Sequence, residues 1–220
     1  MADKKEKAEC FKKTYTTPQG EAAYPHLAEP QTKFNEAGVY DVTLYFDAEA
    51  GGKLLEMLTP AYEQACKEAR EIYEQQKPQY KKDNPEIKFE QFYREEVDDD
   101  GFGTGRIFVK FKRQATVKTK DKKVIEFSVA VFDRHNQAMP KELVAKASSG
   151  SIMRAAFKAN PYFVAAGAKA GISLQLEAVQ IVELKEWAGT KSADSYGFQS
   201  FEDEDDAFLS ESAGDNGSTF

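Results

Sequence analysis

One predicted β-strand alternates cations with apolar side chains. Within residues 106–118, one face holds Ile107, Val109, Phe111, Ala115 and Val117, and the other holds Arg106, Phe108, Lys110, Lys112, Gln114 and Lys118. Successive residues on one face of a strand lie about 7 Å apart, a spacing similar to that of phosphates along an extended nucleic-acid strand. The cationic face with its aromatic ring therefore indicates binding of a single strand, in which each stacked base contributes ~1–3 kcal/mol. The alternative is a solvated lysine face that protects a sheet edge.

A second cluster of similar composition contains Arg154, Lys158, Tyr162 and Phe163. The first cluster alone slightly favours the solvated alternative, whereas two such clusters together favour nucleic-acid binding. The contacts predicted from the two clusters are Arg106, Phe108, Lys110, Lys112, Arg154, Lys158, Tyr162 and Phe163.

The sequence lacks the residue sets that are typical of enzyme active sites. His26 and His135 have no cysteine, serine or carboxylate nearby in a pattern suited to nucleophilic catalysis. Cys10 and Cys66 have no metal-like spacing, so we expect reduced thiols and no zinc site. Asp98–Gly101 predicts a turn, because the residues after it lack the carboxylates of a calcium loop. We therefore expect a non-enzymatic protein without a metal or a cofactor.

The first half of the chain predicts a strand followed by one long helix. After Gly38 the sequence alternates, with Tyr40, Val42, Leu44 and Phe46 on one face and Asp41, Thr43 and Tyr45 on the other. From about residue 49 to 76, an apolar helix face is formed by Leu55, Leu58, Tyr62, Ala65, Ala69 and Ile72. Pro60 either begins a new helix behind an N-cap at Thr59 or kinks the helix. The polar stretch 77–90, with its two prolines, predicts a loop.

The second half predicts further strands. A hairpin turn at Lys120–Lys123 leads into a strand in which Ile125, Phe127, Val129 and Val131 continue the apolar face. A short strand begins near Ile152, and the last strand changes phase near Ala178 and Val179, which predicts a bulge or a strong bend. Five or more strands with one unrepeated helix are typical of a mainly β, antiparallel barrel.

The excess negative charge of the chain lies at its C-terminus. The sequence has 37 acidic and 30 basic side chains, and seven of the acids fall in residues 202–220, which contain no lysine or arginine. This segment holds few large apolar residues, so we expect it to be disordered. It is either a solubilising end or a segment that binds basic partners and competes with an anion for the cations of the body. We divide the chain into a domain at residues 1–188 and a tail at 189–220.

The N-terminus is charged and has no apolar region typical of a secretory signal. No window of 18 or more predominantly apolar residues predicts a membrane span.

These features together resemble the single-stranded DNA-binding proteins of T7-like bacteriophages. The matching blocks are Gly38-Val39-Tyr40 with its strand, the long helix, Lys110-Phe111-Lys112, Pro161-Tyr162, the stretch at 174–184, and an acidic tail that ends in Phe220. The resemblance implies an OB-fold, which is a five-stranded antiparallel Greek-key barrel, here with an inserted long helix. It also implies a protein that coats single-stranded DNA without sequence specificity in phage DNA replication, recombination and repair, in the cytoplasm of an infected bacterium.

The resemblance assigns roles to single residues. Lys112 and Arg154 match cations that contact DNA, and Tyr162 matches a stacking aromatic residue. Ala37, Ala156 and Gln114 stand where the family has an arginine, a lysine and an aromatic residue. These departures imply either a groove shifted toward Lys110, Arg113 and Lys158 or weaker binding of DNA, and Arg113 joins the predicted DNA contacts.

The tail is implied to shield the groove and to recruit the replicative DNA polymerase and the helicase-primase. Its predicted partner-binding residues are Glu202, Asp203, Glu204, Asp205, Asp206, Phe208 and Phe220. Two other functions stay open: a hub that binds proteins through its barrel and tail without DNA, and an annealing protein that also binds duplex DNA. The sequence leaves the oligomeric state open, including a homodimer.

Overall fold

The computed structural model describes residues 8–186 except residues 34, 120 and 122. The strands are β1 (Tyr15–Thr16), β2 (Gly20–Gln31), β3 (Val39–Phe46), β4 (Lys88–Phe89), β5 (Arg94–Val97), β6 (Gly103–Gln114), β7 (Thr116–Lys118), β8 (Val124–Glu126), β9 (Ala130–Phe132), β10 (Ile152–Val164) and β11 (Lys169–Glu183). The helices are α1 (Ala48–Glu74), α2 (Pro78–Asp83) and α3 (Lys141–Val144), and a 3-10 turn spans Glu9–Phe11. The predicted tail and its partner-binding residues, Glu202 to Phe220, lie outside the described residues, as does the predicted domain boundary at 188.

Five strands close into a barrel in the order β10, β2, β3, β6 and β11, with β11 returning to β10. Neighbouring strands of the barrel are antiparallel except β6 and β11, which pair in parallel where Lys112 meets Gln175. The pairing of β3 with β6 runs without a shift from Val39 opposite Gln114 to Phe46 opposite Ile107. This architecture confirms the predicted mainly β barrel with one long helix.

Alternate side chains of the barrel strands fill its interior. The largest fully buried residues there include Val42, Leu44, Phe46, Val109, Phe111, Met153, Phe157 and Leu176. The rings of Phe111 and Phe157 lie 4.9 Å apart between centroids, and Tyr15 stacks on Phe157 at 5.6 Å. The predicted inward faces of β3 and β6 are confirmed. Because successive residues of a strand point to opposite sides, the intervening polar and charged residues face outward.

Helix α1 is one helix that continues through Pro60. It begins at Asp47, whose side chain accepts a hydrogen bond from the Ala50 N–H at 2.8 Å. The Thr59 hydroxyl donates to the Leu55 carbonyl at 2.8 Å, so Thr59 is a residue of the helix interior and does not cap a new helix. Within the described residues, no helix is both long enough and apolar enough to cross a membrane.

The buried face of α1 differs in part from the predicted one. Leu58, Ala65 and Ala69 are buried as predicted, but Gly51, Leu54 and Ala61 are buried as well, and Ile72 is exposed at the far end. The helix therefore packs on the barrel through a face that contains Leu54 and Ala61, each one residue before the predicted Leu55 and Tyr62.

Three further segments differ from the sequence prediction. The stretch 77–90 contains α2 and β4 instead of an irregular loop, and β2 and β5 were not predicted. The predicted short strand at 152–158 extends to Val164. Val117 and Ile125, predicted in the core, are 38% and 44% exposed, because β7 and β8 pair with each other and leave the barrel.

The predicted bulge in the last strand is confirmed and lies at Glu177. Ala178 pairs with Ala156 and Leu176 pairs with Phe157, so Glu177 has no partner residue on β10. A bulge of this kind changes the direction of one side chain on the bent strand. The Glu177 carboxylate lies 3.1 Å from an Arg113 guanidinium nitrogen and 3.6 Å from the Lys158 Nζ.

Candidate nucleic-acid interface

A groove of about 920 Å³ crosses the outer side of β3, β6 and β11. Its walls come from the stretch before β5, from the start of the β7–β8 hairpin and from the end of β10. The lining residues are Asn35, Val39, Thr43, Gln91, Phe92, Tyr93, Arg94, Phe108, Lys110, Lys112, Arg113, Gln114, Val117, Phe127, Asn160, Tyr162, Ile172, Ser173, Leu174 and Gln175. We call this surface the groove.

The groove is cationic. Among the described residues that line it are the four cations Arg94, Lys110, Lys112 and Arg113, and none of the lining residues is an aspartate or a glutamate. Lys112 is exposed and, within the described part of the chain, forms no ion pair. A concave surface lined by one sign of charge attracts ligands of the opposite sign. The groove therefore suits a polyanion.

Lys110 is held in place by a buried carboxylate. Asp41 is 5% exposed, and its Oδ2 lies 2.5 Å from the Lys110 Nζ while its Oδ1 lies 2.8 Å from the His26 Nδ1. The β2–β3 register places His26 beside Asp41, and the β3–β6 register places Asp41 opposite Lys112. Asp41 thus restrains the ammonium group of Lys110 at the groove, whereas Lys112 keeps its charge available.

Aromatic rings line the groove beside the cations. They are Phe92, Tyr93, Phe108, Phe127 and Tyr162. Phe108 stacks on Tyr45 of the neighbouring strand at 5.1 Å, and Phe92 meets Tyr93 edge to face at 5.4 Å. Rings fixed by such contacts lose little freedom when a base stacks on them, and every base offers a face for stacking.

Tyr162 is fixed by a hydrogen bond at the end of the groove. Its hydroxyl donates to Glu90 Oε2 at 2.8 Å, and Glu90 Oε1 accepts from Lys169 at 2.9 Å. Burial, followed by the bond to the Glu90 carboxylate, raises the pKa of Tyr162 to about 12. The hydrogen bond from Lys169, followed by that from Tyr162, lowers the pKa of Glu90. The Glu90 carboxylate is therefore ionised, with Lys169 as its counter-ion. Its bond to the hydroxyl holds the Tyr162 ring in one orientation.

Arg113 connects the barrel to the base of the β7–β8 hairpin. Its guanidinium donates to the Leu176 carbonyl and to Glu177 Oε1, each at 3.1 Å, and lies 4.8 Å from the centre of the Phe127 ring. Glu177 Oε2 also lies 3.6 Å from the Lys158 Nζ. One carboxylate thus neutralises two cations that were predicted to contact DNA.

The structure brings five of the nine predicted DNA contacts to the groove and places four outside its lining. Phe108, Lys110, Lys112, Arg113 and Tyr162 line the groove. Arg106 pairs with Glu21 at 2.7 Å and with Glu96 at 3.6 Å, and the Arg154 Nε donates to the Thr17 carbonyl at 3.1 Å. Lys158 pairs with Glu177 beside the groove, and Phe163 points to the opposite side of β10 from Tyr162.

Several lining residues were missed by sequence reasoning. Phe92, Tyr93 and Arg94 are consecutive in the sequence, and two aromatic residues beside an arginine are a pattern that indicates nucleic-acid binding. They were missed because no strand was predicted there. Asn160 and Gln175 carry no comparable signal, since their amides are joined by a 3.0 Å hydrogen bond that depends on the pairing of β10 with β11.

Comparison with protein families gives a match over residues 19–184 to the family of the single-stranded DNA-binding protein of bacteriophage T7. The chain belongs to this family. The matched residues include all five barrel strands and the whole groove. Comparison with curated proteins gives no significant match.

Solved structures of phage proteins share the fold. The crystal structure of gp2.5, a single-stranded DNA-binding protein encoded by bacteriophage T7, matches with a TM-score of 0.63 and 24% identity over 85% of this chain and 95% of that chain. The single-stranded DNA-binding protein of bacteriophage Enc34, in complex with single-stranded DNA, matches with a TM-score of 0.51 and 12% identity over 80% of this chain and 89% of that one. The barrel is accordingly an OB-fold, as the sequence resemblance implied.

Removing the charge of Glu177 is expected to tighten binding of single-stranded DNA. In Glu177→Gln, Arg113 and Lys158 lose their shared counter-ion, so both become available to phosphates. Each additional phosphate contact steepens the dependence of log affinity on log salt by about 0.7 for a single strand. Titrations of a fluorescent oligothymidylate at several salt concentrations measure both effects.

The matched control is Glu186→Gln, which removes the same charge from an ion pair with Lys146 at 3.7 Å. Glu186 does not line the groove, so this variant should keep the wild-type affinity and salt dependence. If Glu177→Gln also leaves both unchanged, Glu177 does not restrain DNA-binding cations.

Proposed function

We propose that the protein binds single-stranded DNA in the groove, without sequence specificity, and coats it in phage DNA replication, recombination and repair. The observation that supports this most strongly is the composition of the groove. Four cations and five aromatic rings line it, and its described lining contains no carboxylate. Phosphates bind the cations and bases stack on the rings, so both parts of a nucleotide are recognised.

The aromatic content favours a single strand over a duplex. Bases in a duplex are stacked on each other, and their faces are closed to protein side chains. Stacking on a ring is tolerant of base identity, because every base has a π-face. Binding through phosphates and ring faces therefore gives affinity without sequence preference.

A titration of fluorescent oligothymidylate tests the proposal. We expect saturable binding whose log affinity falls linearly with log salt concentration, because each phosphate contact releases condensed counter-ions. A duplex of the same length should compete weakly. Binding that is insensitive to salt, or equal competition by duplex, would contradict the proposal and favour the protein hub or the annealing protein.

The acidic tail is proposed to compete with DNA and to recruit the replicative DNA polymerase and the helicase-primase. Its seven carboxylates and the absence of lysine and arginine support this, since the groove supplies cations that a polyanion can occupy. The same titration with residues 1–201 should give tighter binding. An unchanged affinity would contradict competition, and recruitment is tested separately by binding of the two enzymes with and without Phe220.

A further inference from the structure

The β7–β8 hairpin exposes apolar side chains beside the groove. Val117 lies directly opposite Ile125 in the hairpin register, so the two share one face. Val117 is 38% exposed and Ile125 is 44% exposed. A pair of neighbouring apolar side chains on an exposed hairpin is unfavourable in water unless a partner covers it.

The hairpin is firmly joined to the barrel at its base. The Ala115 N–H donates to the Gly38 carbonyl at 2.9 Å, and the Phe127 N–H donates to the Ala115 carbonyl at 2.7 Å. Thr116 donates to the Ala37 carbonyl through its N–H at 3.1 Å and through its hydroxyl at 2.8 Å. Gly38, which accepts the bond from Ala115, has a φ of +70°, a conformation that favours glycine.

The apolar face of the hairpin is continuous with the groove. Val117 and Phe127 line the groove, and Ile125 lies opposite Val117. The Arg113 guanidinium lies over the Phe127 ring at 4.8 Å, so a groove cation meets the base of the hairpin. Val117 therefore belongs both to the groove and to the apolar face of the hairpin.

The tip of the hairpin is basic by sequence. Residues 118–123 contain four lysines and one aspartate. Among them, Lys118, the last residue of β7, and Lys123, the residue before β8, are exposed. Lysine is a strongly hydrated point charge on a long stem, which suits contact with phosphates of varied position.

We propose that the β7–β8 hairpin is a second contact surface for single-stranded DNA, in which Val117 and Ile125 pack against bases and Lys118 and Lys123 bind phosphates. This inference rests on the proposed function and extends the path of the strand beyond the groove. The nucleic-acid strand is the occupant that fits best, because the apolar face is continuous with a cationic groove and is bordered by lysines.

A paired substitution that keeps the hairpin folded tests the proposal. Val117→Thr with Ile125→Thr retains β-branched side chains, which favour strands, and removes the apolar surface. We expect this double variant to bind an oligothymidylate of about 16 nucleotides severalfold more weakly, and one of about four nucleotides with a clearly smaller loss, because a short strand in the groove can contact Val117 but not Ile125.

The matched control is Val97→Thr. Val97 is 59% exposed on β5 and does not line the groove. It lies beside Glu95, Glu96 and Asp98, so it offers the same apolar exposure in an acidic setting. This variant should bind both oligonucleotides as the wild type does.

A second variant is expected to bind DNA more tightly, a result that misfolding cannot produce. Ile125→Tyr adds a ring at the same position, and we expect the long oligonucleotide to bind severalfold more tightly because a base can stack on it. The proposal is overturned if neither the double variant nor Ile125→Tyr changes affinity for the long oligonucleotide while the wild type binds it.

Two further outcomes separate this proposal from its alternatives. If sedimentation shows a wild-type dimer that the double variant converts to a monomer with unchanged DNA affinity, the hairpin is an interface between copies and the proposal is wrong. If the wild type binds neither oligonucleotide, the proposed function fails and the hairpin proposal fails with it.

Discussion

Replacing Lys112 with glutamate is expected to weaken binding of single-stranded DNA by on the order of tenfold or more, because the change removes a phosphate contact and adds repulsion. Lys112 lines the groove at the point where β6 meets β11. The slope of log affinity against log salt should become shallower by about 0.7 for the lost contact. Titration of fluorescent oligothymidylate at several salt concentrations gives both quantities.

Lys112 is the sharpest site for this test because its side chain supports no ion pair within the described residues. Reversal at Lys110 would leave the buried Asp41 facing a second carboxylate, and reversal at Arg113 would do the same to Glu177. Both changes would lower the stability of the fold, so weaker DNA binding could not be assigned to the lost cation alone. Lys112 lies across from Asp41 in the β3–β6 register, so Lys112→Glu also brings a carboxylate toward a buried one. Lys112→Gln removes the cation without that repulsion, and we expect it to unfold near the wild-type temperature and to bind DNA more weakly than the wild type.

Lys82→Glu is the matched control. Lys82 is exposed on α2, does not line the groove and makes the same change in net charge. If Lys82→Glu weakens binding as much as Lys112→Glu does, the effect comes from net charge, and the groove is not the DNA site.

Local sequence patterns predicted much of the scaffold of this site. The alternation around Val42 and Phe111 gave the correct inward faces, and therefore placed Phe108, Lys110 and Lys112 on the outside. The phase change near Ala178 gave the bulge at Glu177. These features depend on neighbours within a few residues, which is the range over which a single sequence carries information.

What the sequence could not predict depends on contacts between distant segments. Arg106 meets Glu21 only because β2, β3 and β6 are adjacent, and Arg154 meets Thr17 through the pairing of β10 with β1. The departure of the hairpin was hidden for a similar reason. Val117 keeps the alternation of a core strand, but the chain leaves the barrel after Ala115, which bonds to Gly38.

Tyr162→Ala is expected to weaken binding of single-stranded DNA by ~1–3 kcal/mol, the contribution of one stacked base. That range corresponds to about fivefold to 150-fold in affinity, since 1.4 kcal/mol is about tenfold. Unlike Lys112→Glu, this variant should keep the wild-type salt slope, because a ring contacts bases and releases no counter-ions. An unchanged affinity would exclude Tyr162 as a stacking residue.

Tyr162→Phe is the control that separates the ring from its hydroxyl. It keeps the stacking surface, so it should bind DNA nearly as the wild type does, although the hydrogen bond to Glu90 is lost.

The distinct effect of Tyr162→Phe is on stability at high pH. The pKa of Tyr162 rises from 10.0 to about 12 on folding, so the unfolded chain loses this proton first as the pH rises. Wild-type stability therefore falls from pH 10.0 to about 12 through this group, and Tyr162→Phe should lack that part of the decline. Chemical unfolding at about pH 9 and about pH 11 gives the loss of stability of each protein between these two pH values. The other tyrosines contribute equally to both losses, so the difference between the losses reports Tyr162. A ring that binds DNA and a hydroxyl that only orients the ring are thus distinguished by two independent measurements on one residue.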